Sequence, residues 1–210
     1  MSRYAHLGSI YDVISLEAVL YRRPRAQLAE LFGPMRGATV VDVGCGTGLN
    51  LAWLRQAVSP GGHVVGIDPS HSMLARARRR SRRHRWTDVT LIEGDVDGLA
   101  GVLTAASIRP DGFVATFVLS VVPCDDGFWN VVDEMASRRA VRVGLAELGP
   151  ARAAPPVLRV ALDTLTSLGG GHRGRRPWQR LIARDADAIH ETRLGGHVHV
   201  AVGAVHHGDP

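Results

Sequence analysis

Hydrophobic and polar positions along this 210-residue chain fall into short apolar blocks of two periodicities. Across residues 14–32 apolar side chains recur at mixed spacings of three and four (Leu16, Val19, Leu20, Leu28, Leu31), which predicts helices. Gly33-Pro34 breaks that pattern. Thr39-Val40-Val41-Asp42-Val43 is β-branched and almost wholly apolar, the composition of a strand buried on both faces. A glycine loop over 44–48 leads into a helix over 49–58, Pro60-Gly61-Gly62 makes a turn, and 63–67 predicts a second strand ending at Asp68. Ser70 or Ser72 can cap a further helix that carries Met73, Leu74 and a run of arginines. A third strand is expected at 89–93, a helix at 99–107, and a central strand over 113–122, the longest apolar run. Residues 127–139 predict a helix and 140–145 a fifth strand. A loose connection at 151–156, a helix near 157–168 and a glycine–arginine loop precede two strands, 188–194 and 197–205, which meet at Gly195-Gly196 as a hairpin.

Strands alternating with helices predict an α/β architecture, a parallel sheet with helices on both faces. A chain of 210 residues that is 45% hydrophobic can bury one core and is short for two. The expected organisation is one domain over 1–210: an N-terminal helical lid at 1–34, a core at 35–147, and a substrate-side segment with the terminal hairpin at 148–210. No stretch reaches the ~20 apolar residues of a membrane span, and the N-terminus lacks the apolar run of a secretory signal. The two cysteines, Cys45 and Cys124, sit at strand ends or in the loops after them, which fits a reducing, cytoplasmic setting and no disulfide framework. No histidine or cysteine spacing resembles a metal site, so none is expected.

Candidate chemistry begins at Asp42-Val43-Gly44-Cys45-Gly46-Thr47-Gly48. Glycines at 44, 46 and 48 let the backbone approach a ligand, and the loop feeds a helix N-terminus whose free N–H groups favour anionic groups. Dinucleotide-binding loops space their glycines G-x-G-x-x-G, whereas here the third glycine comes two positions after the second, and Leu49 follows it. Asp42, two positions before the first glycine, suits a cationic amine better than a pyrophosphate. Asp68, twenty residues past Gly48 and followed by Pro69, is placed for both ribose hydroxyls, and Asp95, followed by Val96, for the adenine amino group. Read singly, Asp42 can cap loop N–H groups and Asp95 can be a turn residue. Taken together, the positions specify a nucleoside with a cationic amino-acid tail, the shape of S-adenosyl-L-methionine (AdoMet).

The set resembles the class I AdoMet-dependent methyltransferases over roughly residues 35–147. The resemblance implies a Rossmann-like methyltransferase fold with a mostly parallel seven-stranded sheet and an antiparallel C-terminal hairpin. It implies that Gly44, Cys45, Gly46, Thr47 and Gly48 wrap AdoMet, with Asp42 near the methionine amine, Asp68 and Pro69 at the ribose, and Asp95 with Val96 at adenine. It also implies that the strand over 113–122 ends beside the methyl-transfer centre. A narrower likeness is to bacterial phosphatidylethanolamine and betaine-lipid N-methyltransferases, carried by Tyr11-Asp12-Val13-Ile14-Ser15, Tyr21-Arg22-Arg23, Arg176-Pro177-Trp178 and Gly195-Gly196-His197-Val198. The Pro-Gly-Gly turn of that family before strand five is replaced by Ser137-Arg138-Arg139-Ala140. Tyr11 and Tyr21 are candidate lid residues over the cofactor, or packing residues of the N-terminal helices. Asp125 and Asp126 can meet an amine or start a helix.

The implied activity is methyl transfer to a small-molecule or lipid acceptor at nitrogen, with no catalytic residue assigned. O- or C-methylation of a secondary metabolite, or AdoMet binding without catalysis, stand as alternatives. The net charge of +5 is clustered, with Arg76, Arg78, Arg79, Arg80, Arg82, Arg83 and Arg85 in one run and Arg173, Arg175, Arg176 and Arg180 in another. Such runs are solvated helix faces or contacts to an anionic membrane. Nucleic acid is disfavoured because Ser120-Val121-Val122-Pro123 is unlike the Asn/Asp-Pro-Pro-Tyr motif of base methylases.

Overall fold

A computed structural model describes residues 22–156 and 175–206. The helix expected at 157–168, the helical segment before residue 22 with Tyr11 and Tyr21, and Arg173 lie outside the described residues. In chain order the elements are α1 (Arg22–Phe32), β1 (Thr39–Val43), α2 (Leu51–Val58), β2 (His63–Asp68), α3 (His71–Arg83), β3 (Val89–Glu93), α4 (Leu99–Ala105), β4 (Gly112–Thr116), α5 (Asp126–Ala136), β5 (Val141–Leu148), α6 (Pro177–Ile182), β6 (Ile189–Arg193) and β7 (Val198–Val205). The strands form one sheet in the order β3-β2-β1-β4-β5-β7-β6. β1 to β5 are parallel, and β7 lies antiparallel between β5 and β6. Gly195 and Gly196, both at positive φ, turn the chain between the last two strands.

Side chains alternate across each strand, so the apolar runs feed two cores. Val40, Val64, Val114 and Ala146 face Leu28 and Phe32 of α1, Leu51, Leu54 and Val58 of α2, and Ala77 of α3. Val41, Val65, Phe113 and Leu145 face Leu99 and Leu103 of α4, Phe128, Trp129 and Val132 of α5, and Trp178 and Leu181 of α6. On α3 the buried residues Leu74, Ala77 and Ser81 follow helical spacing, and Ser70 caps the start by accepting the Met73 N–H at 3.4 Å.

Three expectations need correction. β4 ends at Thr116 rather than running on to Val122. Phe117 takes φ +59° and donates its N–H to the Ala146 carbonyl, which turns the chain out of the sheet. The residues beyond it form a loop, with Leu119 and Ser120 buried, and not a strand. β5 extends to Leu148 because β7 pairs along its full length. The glycine–arginine segment holds the short helix α6, with Pro177 at its first turn.

The replacement of the Pro-Gly-Gly turn also has a structural counterpart. After α5 ends, Arg139 donates to the carbonyls of Arg109 and Pro110 and pairs with Asp111 at 2.8 Å, while Asp111 accepts the Thr39 N–H. One arginine thereby ties the entry of β5 to the entries of β4 and β1.

Candidate functional site

The carboxyl ends of β1, β2 and β4 converge on the glycine loop. Gly44, Gly46 and Gly48 all have positive φ, so the loop closes without the strain an L side chain would bring there. Space decides each position differently. A Cβ on Gly44 would sit inside the Val118 isopropyl group, and one on Gly48 would come 2.6 Å from Leu51. A Cβ on Gly46 would meet nothing within 4 Å. The first and third glycines are therefore packed against protein, and the middle one borders open space.

Asp42 is wholly buried at the end of β1. Its Oδ1 accepts from Asn50 Nδ2 at 2.8 Å, while Oδ2 has no hydrogen-bond partner among the described residues. Burial pushes its carboxyl up to about 7, against the Asn50 hydrogen bond and the Arg25 charge, with Asp68 adding to the rise. Asn50 also donates to Thr116 Oγ1 at 3.0 Å, and its Oδ1 accepts from Arg25 at 3.1 Å and Trp53 at 3.3 Å. Arg25 reaches Thr116 Oγ1 at 2.7 Å and lies over the Phe117 ring. A buried carboxylate oxygen left without a donor is costly unless a ligand supplies one. A cationic amine would supply that donor and an opposite charge.

Asp68 accepts the Gly46 N–H at 2.9 Å and the Ser70 N–H at 2.8 Å, one on each oxygen. Each oxygen keeps a second lone pair, so a pair of ribose hydroxyls can still be accepted. Burial raises this carboxyl, opposed by the same two N–H groups. Pro69 beside it is exposed. Asp95 is exposed and caps its own turn by accepting the Gly98 N–H at 2.7 Å, while Val96 is buried beneath it. Thr47 gives its carbonyl to Arg80 Nε at 3.2 Å, which binds the loop to α3. The Cys45 thiol is buried and pushed well up, first by burial, so it packs the loop against Gly66 rather than serving as a nucleophile.

Sequence reasoning did not single out Arg25, Asn50, Thr116 or Glu147. Asn50 offered a signal as a polar residue in an otherwise apolar helix start, and Glu147 as a lone acid inside an apolar strand. Glu147 is wholly buried and accepts four hydrogen bonds: Val118 N–H at 3.2 Å, Leu119 N–H at 3.0 Å, Ser120 N–H at 3.0 Å and Ser120 Oγ–H at 2.7 Å.

The acids after β4 are committed elsewhere. Asp125, nearly buried, accepts from Trp129 Nε1, Arg175 and Arg180 at 2.9–3.0 Å, and Asp126 also pairs with Arg180. Arg175 and Arg180 of the second basic run are thus neutralised internally and anchor residues 175–182 to α5. Trp178 stacks on His199, with centroids 3.5 Å apart, so its ring packs against β7. Asp125→Ala would leave two arginines and an indole N–H without their partner. We expect it to lower the melting temperature by about 5–10 °C in a thermal unfolding scan; a shift under 2 °C would mean that this cluster does not hold the segment.

Sheet order, glycine loop and strand-end carboxylates define the class I AdoMet-dependent methyltransferase fold. A methyltransferase from Aquifex aeolicus superposes with a TM-score of 0.60 at 17% identity, covering 94% of this chain and 97% of that one. Residues 40–138 match the family model described as a methyltransferase domain. Phosphatidylethanolamine N-methyltransferase from Cereibacter sphaeroides is 40% identical over 101 residues, 48% of this chain and 45% of that protein. Nocamycin O-methyltransferase from Saccharothrix syringae is 33% identical over 92 residues, 44% of this chain and 32% of that protein. The chain spans less than half the length of these curated relatives.

Proposed function

We propose that this domain binds AdoMet and transfers its methyl group to an amine nitrogen of a small molecule or lipid. The observation that carries the reading is Asp42, with one buried carboxylate oxygen lacking a donor at the head of a glycine loop that borders open space at Gly46. Asp42 would hold the methionine ammonium, Asp68 the ribose, and Val96 with Asp95 the adenine edge. Bound AdoMet supplies an electrophilic sulfonium methyl and a good leaving group.

The acids near the ends of β4 and β5 support a nitrogen acceptor. Glu147 is held by four donors and Asp125 by two arginines and an indole, so neither is free to take a proton from a hydroxyl. A neutral amine brings its own lone pair. Its nitrogen would take the methyl as the C–S bond of AdoMet breaks, with S-adenosylhomocysteine (AdoHcy) as the leaving group and the proton of the new ammonium passing to solvent. The chain's part is to orient the reactants and exclude water. Similarity to a phosphatidylethanolamine N-methyltransferase favours an amine lipid, and similarity to an O-methyltransferase keeps the hydroxyl acceptor as the alternative.

A lipid acceptor requires contact with a bilayer. Among the described residues no helix is long and apolar enough to cross a membrane. On α3 and just after it, Arg79, Arg82, Arg83 and Arg85 are exposed, and the helix has no acidic residue. Each arginine near an anionic surface contributes about 1 kcal/mol. The test is to incubate the protein with methyl-labelled AdoMet and vesicles of phosphatidylethanolamine and phosphatidylglycerol. Label should enter the amine lipid, and vesicle binding should fall as salt rises and in an Arg79→Gln/Arg82→Gln/Arg83→Gln variant. Label passing only to hydroxyl acceptors would overturn the nitrogen reading, and salt-independent binding would overturn the electrostatic one.

A further inference from the structure

Glu147 is a carboxylate with no exposed surface, and no cation pairs with it among the described residues. Its partners are three consecutive backbone N–H groups and one hydroxyl, all from the loop that follows β4. Burying such a group is expensive, and an apolar residue would serve β5 better if packing were its only purpose.

The loop it captures would otherwise leave buried N–H groups unpaired, because β4 has ended at Thr116 and the chain has left the sheet. Ser120 completes the arrangement: its Oγ donates to Glu147 and accepts the Leu148 N–H at 3.3 Å. β5 therefore grips the loop from two consecutive residues. The loop in turn presses on the cofactor site at two points. Val118 fills the space a side chain on Gly44 would need, and Phe117 lies under Arg25, which bonds Asn50 and Thr116 beside Asp42.

We propose that Glu147 is a positioning residue for cofactor binding: by holding the backbone of Val118, Leu119 and Ser120, it seats Val118 on Gly44 and fixes the glycine loop in its binding shape. This rests on the reading of that loop as the AdoMet site. Glu147→Gln keeps the volume but turns one acceptor oxygen into a donor that faces N–H groups, so the grip fails without a cavity. Val118→Ala removes the lever while leaving the grip intact.

The experiment is calorimetric titration with AdoHcy of the wild type, E147Q, V118A and the double variant, with amide hydrogen exchange read on the same proteins. We expect E147Q to speed exchange at Val118, Leu119 and Ser120 at least tenfold while β1 and β2 stay protected. AdoHcy affinity should fall about tenfold in E147Q and severalfold in V118A. The double variant should bind no more weakly than E147Q alone, because both changes break one linkage. If E147Q does not fold, Ser120→Ala replaces it, removing one donor from the same carboxylate. E147Q affinity within twofold of wild type, or single effects that multiply in the double variant, would overturn the proposal. A folded wild type that fails to bind AdoHcy would instead overturn the cofactor reading.

Discussion

Asp42→Asn is expected to lower AdoHcy and AdoMet affinity about a hundredfold at pH 8 and, in the same protein, to raise the stability of the ligand-free domain. The two effects have one cause. The carboxylate is held without solvent, and its Oδ2 lacks a donor among the described residues, so its negative charge is a cost to the fold and a benefit to a cationic ligand. The folded pKa stands at about 7 against 3.8, so the folded state binds the proton more tightly than the unfolded chain does. Stability attributable to this group is therefore greatest at acid pH, declines as pH rises from about 4 through 7, and is flat above about 8. The full span corresponds to roughly 4 kcal/mol. Glu147, also raised to about 7 by burial, changes stability in the same direction over a similar window. Ligand affinity runs the other way. It should increase with pH through 7 as Asp42 ionises, with Arg25 opposing and Asp68 reinforcing the upward shift. Chemical denaturation at pH 5 and pH 8, with and without AdoHcy, measures both slopes. A wild type equally stable at both pH values, together with an Asp42→Asn protein that binds AdoHcy as well as wild type, would refute this account of the site.

Gly44→Ala should be strongly destabilising and abolish ligand binding. The added carbon falls inside Val118, and the backbone sits at φ +65°, where an L residue costs about 1–2 kcal/mol before any contact is counted. With overpacking of about 1–3 kcal/mol added, the expected loss is about 3 kcal/mol, a fall in melting temperature of about 6–12 °C, with AdoHcy binding below detection. Val118→Ala in the same molecule removes the clash but not the backbone strain, so it should restore about half the stability. Gly46→Ala, with open space around the new carbon, should cost only the backbone term in stability. It should still weaken the ligand, because the space it fills is where the loop borders open volume. Thermal unfolding of the three variants checks the order. A Gly46→Ala protein less stable than Gly44→Ala would contradict it.

Much of this was legible in the residues. β-branched runs ending in Asp42, Asp68 and the Glu93-Gly94-Asp95 turn mark strand ends because a buried parallel strand is apolar until it emerges at a ligand-facing edge. The spacing of Gly44, Gly46 and Gly48 separated this loop from a dinucleotide turn. What periodicity cannot show is where a buried backbone finds its hydrogen bonds. The run at 113–122 reads as one strand because every residue in it tolerates burial, yet the half beyond Thr116 is a loop whose N–H groups are answered by a glutamate 27–29 residues further on. Asn50, Arg25 and Thr116 were equally hidden, since contacts 25, 66 and 91 residues apart leave no local signature. The partners of the second arginine run were hidden for the same reason: Arg175 and Arg180 meet Asp125 and Asp126, as Arg184 beyond the run meets Asp133, and only the fold brings them together.

The most direct test of the central claim, that a buried Asp42 awaits the ammonium of AdoMet, is calorimetric titration of the wild-type protein with AdoHcy at pH 7 in two buffers of different ionisation enthalpy. With the Asp42 carboxyl raised by burial to about 7, binding of an ammonium should release protons at that pH, so the apparent enthalpy should differ between buffers, and the difference should vanish in Asp42→Asn. AdoHcy binding whose enthalpy is the same in both buffers, or no AdoHcy binding by the folded protein, would contradict it.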